Sequence, residues 1–306
     1  MSDVAEDEHL LDLMRTAAGA VEVQLERLLS ADTQEGEKVR PKRVLNAMRH
    51  GVLNGGKRFR PFLVLQSADL FGVPQADAIR VACALECLHC YSLIHDDLPA
   101  MDNDDLRRGV PTVHKAYDEA TAILAGDALL TLAFDILSDP KTNDDAEIRV
   151  QLTSLLARAS GLGGMIGGQA LDIEAESRTP DEAGIRLLQS MKTGALIRYA
   201  CEAGAVLGQA SPDQRQMLVR YGEIIGLAFQ LSDDLLDVVA TSEQMGKATG
   251  KDAGAGKGTL VGLHGVEKVR AMLAALVAES DAILIPFGER ADILRRTARF
   301  VAERRS

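Results

Sequence analysis

The sequence predicts an all-α protein: a single-domain helical bundle, spanning residues 1–306, around a large central cavity. Three observations predict it. Apolar residues recur at helical spacing almost throughout. Alternating strand patterns are scarce; Phe62-Leu63-Val64-Leu65 is the best candidate, and its flanks favour helix. No linker, internal repeat or low-complexity tract divides the chain, and helical chains of this length also fold as one domain.

Leu10, Met14, Val21, Leu25 and Leu28 mark one opening helix, with the acidic stretch before it frayed. Ser30 to Lys38 is polar and reads as a loop. Pro41 suits the first turn of the next helix, which stops at Gly55-Gly56. Further helices are expected over 61–71, 76–98, 116–137, 145–160, 181–208, 212–239, 264–280 and 289–304, with loops at 139–145 and 241–260. Gly161, Gly163, Gly164, Gly167 and Gly168 precede Gln169 and Asp172. This reads as a helix or helix junction whose small residues allow close packing, with Gln169 and Asp172 either facing the cavity or packed away.

Hydrophobic residues make up 46% of the chain, enough for a sizeable core. Aromatics are only 4% and Trp is absent, so no stacking platform for nucleic-acid bases is expected. The net charge of -11 argues against a polyanion-binding surface overall, and no nucleic acid is expected as partner. Cys83, Cys87 and Cys90 repeat at helical spacing beside His89; Cys201 stands apart. Three thiols on one helix converge poorly on a tetrahedral zinc ion, so small core residues are favoured over a zinc site. Neither a secretory signal nor an apolar span of about 18 residues stands out, so the expectation is a cytoplasmic chain with reduced thiols and no membrane span.

Two acidic clusters carry the chemistry. The first is Tyr91-Ser92-Leu93-Ile94-His95-Asp96-Asp97-Leu98-Pro99-Ala100-Met101-Asp102; the second is Asp233-Asp234-Leu235-Leu236-Asp237. Each is embedded in an apolar run, and buried carboxylates are disfavoured unless paired or bound to cations. Two facing clusters would hold several divalent cations, and hard cations on carboxylates commonly serve a diphosphate. Gln230, Asp233, Asp234 and Asp237 fall at i, i+3, i+4 and i+7, on one helical stripe. The stripe therefore presents an amide and three carboxylates into one space. Asp96 and Asp102 are roughly 240° apart on an ideal helix. Pro99 disrupts a helix interior, so the chain is expected to bulge or end there and Asp102 to fold back toward Asp96.

A diphosphate also needs cationic partners. Gly55-Gly56-Lys57-Arg58-Phe59-Arg60-Pro61 offers three charges at a predicted helix start, where backbone N–H groups also favour anions. Arg107-Arg108-Gly109 follows the first acidic cluster, and guanidinium groups suit diphosphate oxygens. Lys192-Thr193 and the loop lysines Lys247, Lys251 and Lys257 add more. A P-loop reading of Gly246 to Lys251 fails, because the spacing does not match and no strand precedes it.

In combination these motifs resemble the trans-type isoprenyl diphosphate synthases. The resemblance runs in order from Gly55 to about Glu267, through Gly-Gly-Lys-Arg-Phe-Arg-Pro, the Asp96 cluster with Asp-Leu-Arg-Arg-Gly, Gly167-Gly168-Gln169, Lys192-Thr193-Gly194 and Phe229-Gln230-Leu231-Ser232-Asp233-Asp234. The four-residue gap between Asp97 and Asp102 is similar to that of bacterial farnesyl diphosphate synthases. The loop from Ala240 to Gly258 and the C-terminal tail match less tightly.

The resemblance implies an isoprenoid synthase fold and head-to-tail condensation of isopentenyl diphosphate with dimethylallyl and geranyl diphosphate. An allylic diphosphate ionises, isopentenyl diphosphate attacks the cation, and a proton leaves, with no obvious side-chain base. It implies Mg2+, three ions per site, with Asp96 and Asp102 as ligands for two, Asp233 for a third and Asp237 nearby. Arg107, Lys192, Lys247 and Lys257 would hold the allylic diphosphate; which loop lysine binds stays open. Lys57, Arg60, His89 and Arg108 would hold isopentenyl diphosphate. Thr193, Gln230 and the Lys192 carbonyl would stabilise the cation as fixed dipoles. A homodimer is implied as well.

Product length is expected to depend on Tyr91 and Ser92. Ser92 lies one turn before Asp96, on nearly the same face. Tyr91 is about 140° off on a simple wheel, so geometry alone leaves it between tunnel floor and core packing. The resemblance favours the floor, because bulky aromatics there accompany farnesyl-length products and smaller residues geranylgeranyl. The expectation is a farnesyl (C15) product, with geranylgeranyl (C20) as the alternative. A class I terpene cyclase would not need Lys57, Arg60 and His89, and a non-catalytic partner subunit would have lost acidic ligands that this chain keeps.

Overall fold

The computed structural model of the protein describes residues 3–177, 180–245 and 259–303. Helices dominate, in the order α1 (Asp3–Leu28), α2 (Lys42–Leu53), α3 (Phe59–Asp69), α4 (Gln75–Asp96), α5 (Val113–Ala116), α6 (Glu119–Ser138), α7 (Ala146–Ser160), α8 (Met165–Ser177), α9 (Glu182–Gln189), α10 (Ala195–Leu207), α11 (Pro212–Met245), α12 (Leu260–His264), α13 (Val266–Ile283) and α14 (Asp292–Glu303). A π-helical turn, Ser190–Gly194, joins α9 to α10, and a 3-10 segment, Ile285–Ala291, precedes α14. The chain divides into two compact units, residues 11–154 and residues 1–10 with 155–306.

Several boundaries differ from expectation for local reasons. The helix expected over 116–137 is two, because Tyr117 leaves helical geometry and Asp118 then caps α6, accepting from the Thr121 N–H at 2.7 Å. The helix expected over 181–208 carries the π turn. Gly265, at φ 78, separates α12 from α13. α11 runs on to Met245, past the predicted end at 239. Phe62 to Leu65 are helical, inside α3.

The first unit is built on α4. This helix is buried on nearly all sides, from Ala78 through Ile94, and packs between α3 and α6 with α2 alongside. Each fully buried leucine here, such as Leu63, Leu85, Leu88 and Leu129, contributes about 1.5–3 kcal/mol. Cys83, Cys87 and Cys90 are buried free thiols on α4, and burial pushes the Cys90 thiol up to about 12. Arg58, at φ 45, caps α3 and turns inward, where its guanidinium is 2.7 Å from Glu86 and 3.3 Å from Glu22. The basic motif therefore offers two charges at the helix start, Lys57 and Arg60, with Arg58 committed to a buried ion pair.

α6 corrects the expectation that no long apolar span exists: it contains an 18-residue stretch long and apolar enough to cross a membrane by length and composition alone, a test that a buried core helix also passes. Its inner face, including Thr121, Ala125, Leu129 and Ile136, is buried in packing with α4.

The second unit is organised by α11, 34 residues and roughly 51 Å long. It packs on α10, α13 and α14. The buried Tyr221 hydroxyl donates to the Leu294 carbonyl at 2.7 Å, tying α11 to α14. α14 buries Leu294, Thr297, Ala298 and Val301, one stripe at i, i+3, i+4 and i+7. Gly168 lets α8 approach the π turn: a Cβ there would lie 2.6 Å from the Lys192 Cα. The glycine-rich stretch before Gln169 therefore serves close packing.

Candidate active site

In the first unit, α4 ends at Asp96 and Asp97 follows as its C-cap. Leu98 to Met101 then form a tight turn, with the Met101 N–H donating to the Leu98 carbonyl at 2.9 Å. The Asp102 N–H donates to the Asp96 carbonyl at 2.8 Å, so the chain folds back as Pro99 requires. Asp96 is half-buried and Asp102 exposed.

A two-stranded hairpin follows, β1 (Leu106–Arg107) antiparallel to β2 (Val110–Pro111). Arg108 and Gly109 both have positive φ, at 53° and 79°, as a two-residue hairpin turn demands. The hairpin aims its arginines in different directions. Arg107 Nε donates to both oxygens of the buried Asp97 carboxylate, at 2.7 and 2.9 Å. Burial raises the Asp97 carboxyl, and Arg107 opposes that rise. Arg108 Nη1 donates to the Gly55 carbonyl. Gly56, at φ +120, makes room for it, since a Cβ there would lie 2.6 Å from the Arg108 Cζ.

Arg60 Nη1 lies 3.3 Å from His89 Nε2. Burial holds His89 well below the ordinary histidine range, and Arg60, Arg108, Arg107 and Arg58 add to the effect. A neutral imidazole can accept from Arg60. The structure thus joins Arg60 to His89 and Arg108 to the loop before the exposed Lys57.

Tyr91 is 5% exposed, with its ring edge-on to His95 at 5.6 Å. Burial and the nearby Asp96 push its phenol up to about 12. Ser92 is half-buried, and its hydroxyl donates to the His89 carbonyl at 2.8 Å.

In the second unit, the stripe on α11 divides. Asp233 is half-buried and Asp237 exposed, but Asp234 is buried. Gln230 Nε2 donates to Asp234 Oδ1 at 3.4 Å, and Gln189 Nε2 to Asp234 Oδ2 at 3.2 Å. Burial raises the Asp234 carboxyl; the two amides lower it, and Asp233 and Asp237 raise it further. Asp234 is therefore engaged by protein partners, Gln189 and Gln230, while Asp233 and Asp237 are less buried. Lys192 Nζ pairs with Asp172 on α8, while Gln169 Oε1 is buried without a hydrogen-bond partner among the described residues. Thr193 is half-buried in the π turn. Lys247, Lys251 and Lys257 lie outside the described residues.

No group of three or more His, Cys, Asp or Glu side chains forms a metal cage among the described residues. The four candidate ligands instead fall into two pairs along the chain, Asp96 with Asp102 and Asp233 with Asp237. Carboxylate pairs fit Mg2+, which takes one or two carboxylates and completes its shell with water and phosphate oxygens.

Three features escaped the sequence. Asp97 holds Arg107, hidden because the partners meet through an unpredicted hairpin. Asp172 holds Lys192 across two helices. Gln189 reaches Asp234 because a π turn follows it, and π turns leave no periodic signal.

The polyprenyl synthetase family model matches residues 41–282. The chain belongs to the polyprenyl synthetase family. It is 48% identical over 241 residues to the farnesyl diphosphate synthase of Escherichia coli (strain K12), covering 78% of this chain and 80% of that one. It is 42% identical over 255 residues to geranylgeranyl pyrophosphate synthase 9, chloroplastic, of Arabidopsis thaliana, covering 81% and 70%. The crystal structure of an FPP/GFPP synthase from Zymomonas mobilis matches with a TM-score of 0.85 and 44% identity, covering 96% of this chain and 99% of that one. The all-α fold is thus the isoprenoid synthase fold, and the chain is a trans-prenyltransferase of the prenyl diphosphate synthase class. The family implies isoprenyl diphosphate substrates and Mg2+-dependent catalysis.

Proposed function

We propose that the protein is a farnesyl diphosphate synthase, adding isopentenyl diphosphate to dimethylallyl and then geranyl diphosphate to give a C15 product. The observation that carries the chain length is Tyr91, a buried ring five residues before Asp96 on the same helix. A rigid aromatic stops an apolar tail from growing past it. The second reading, a C20 product, is favoured by the 42% identity to the Arabidopsis geranylgeranyl enzyme.

In this reading Asp96, Asp102, Asp233 and Asp237 hold Mg2+, three ions per site. Bound Mg2+ supplies Lewis-acid neutralisation of the diphosphate leaving group. Arg107 and Lys192 bind the allylic diphosphate, each exchanging or sharing its carboxylate partner, Asp97 or Asp172, when substrate arrives. Lys247 and Lys257 belong to the same set. Lys57, Arg60, His89 and Arg108 bind isopentenyl diphosphate, with neutral His89 orienting Arg60. Thr193, Gln230 and the Lys192 carbonyl present fixed dipoles to the developing cation. The reading requires water to be kept from the cation, which it would quench.

The reading includes one domain, a cytoplasmic location and a homodimer. The four cysteines are buried thiols outside any disulfide, which suits a reducing compartment. Exposed Ile123 and Leu124 on apolar α6 supply an unpartnered surface for a second copy. The test is to incubate the purified protein alone with labelled isopentenyl diphosphate and dimethylallyl diphosphate, with and without Mg2+. Elongation supports the reading; cyclised hydrocarbon or no product contradicts it.

A further inference from the structure

Gln189 is 8% exposed, and its carboxamide has one described partner, the Asp234 carboxylate. An anionic acceptor fixes which way the amide points, with Nε2 toward Asp234 and Oε1 away. Oε1 is buried and has no hydrogen-bond partner among the described residues. Gln189 also borders a cavity of about 380 Å³ lined by the apolar Met191 and Leu227 and the charged Arg186, Arg198, Arg220 and Glu223. The hydrogen bond that its carboxamide makes among the described residues is the one to Asp234.

Asp234 sits between Asp233 and Asp237 in sequence, and Asp237 falls between the other two around the helix. A free Asp234 carboxylate could therefore swing toward Asp237. It does not, because Gln189 takes Oδ2 and Gln230 takes Oδ1. The π turn makes this possible. In a regular α-helix Gln189 and Lys192, three apart, would share a face. The wider turn over Ser190–Gly194 separates them, so that Gln189 reaches α11 and Lys192 reaches Asp172 on α8.

We propose that Gln189 is a positioning residue for the second acidic cluster. It clamps Asp234 against the protein and so fixes the spacing of Asp233 and Asp237. The claim rests on the reading of Asp233 and Asp237 as the metal-binding pair.

The test is a double-mutant cycle on the whole protein with Gln189→Met and Asp234→Asn, read in two ways. The first readout is Mn2+ binding in the presence of a non-ionising allylic thiodiphosphate, followed by the paramagnetic resonance of free Mn2+. The second is kcat, the half-saturating Mg2+ concentration and the KM for isopentenyl diphosphate. Loss of an outer-shell partner weakens metal affinity about tenfold or more, so Gln189→Met should raise both metal constants by at least that factor. The KM for isopentenyl diphosphate should stay within about twofold, and the metal effect should largely vanish in the Asp234→Asn background. Gln189→His, which keeps a donor, should recover most of the loss. A folded Gln189→Met protein with unchanged metal constants, or equal effects in both backgrounds, overturns the proposal. If Asp233→Ala leaves Mn2+ binding intact, the metal-pair reading falls and the proposal falls with it; if only Asp233→Ala acts, the proposal alone falls.

Discussion

Asp102 returns to Asp96 through its backbone, the Asp102 N–H donating to the Asp96 carbonyl at 2.8 Å. A pair that an unbroken helix would hold on different faces is thereby joined by the turn around Pro99. If this pair and Asp233 hold the metal, Asp96→Ala and Asp233→Ala should each lower kcat by on the order of 10²–10³, as loss of a group stabilising leaving-group charge does. Thermal denaturation should show both variants folded. Near-normal turnover in either would falsify the assignment.

Arg60→Ala should raise the KM for isopentenyl diphosphate more than that for the allylic substrate. Loss of a charge-assisted contact costs about 1.5–3 kcal/mol. Steady-state kinetics with each substrate varied in turn will show it. An equal or larger effect on the allylic KM means that the two diphosphate sets are interchanged.

Arg58 differs from its neighbours in being a structural cation. Its guanidinium is buried against Glu86, so Arg58→Ala strands a buried carboxylate and should cost about 3–5 kcal/mol of stability. The urea midpoint should fall accordingly. A shift under a tenth of that cost would mean that Glu86 finds another partner.

His89 is held below its ordinary value of 6.5, so the unfolded chain binds its proton more readily. The stabilisation from neutral His89 is complete above about pH 6.5 and lost as pH falls below it. Urea denaturation between about pH 7.5 and 5.5 should show stability falling with acid, and His89→Gln should flatten that slope. An unchanged slope in the variant would remove His89 as its origin.

Much of this architecture was legible in the sequence. Helical periodicity gave the elements because helix burial is stripe-like: Leu10, Met14, Val21, Leu25 and Leu28 are all buried on α1. Pro99 announced the turn because its ring cannot sit inside a helix. Two of the failures came from partners that the local pattern does not reveal. Arg58 looked like part of an anion site until Glu86 and Glu22 claimed it. Asp234 looked like a third member of an open stripe until Gln189 and Gln230 claimed it. The Arg107–Arg108 hairpin is two residues per strand, too short for a period to show. Relatives with farnesyl and geranylgeranyl names lie at 48% and 42% identity, so family membership alone does not set chain length.

The most direct measurement is product analysis by chromatography and mass spectrometry, with dimethylallyl and with geranyl diphosphate as starter, for the wild type and Tyr91→Ala. The account predicts C15 from the wild type, made through geranyl diphosphate, and a shift toward C20 once the buried ring is removed. A wild type that makes mainly C20, or a folded Tyr91→Ala enzyme that still makes only C15, would contradict it.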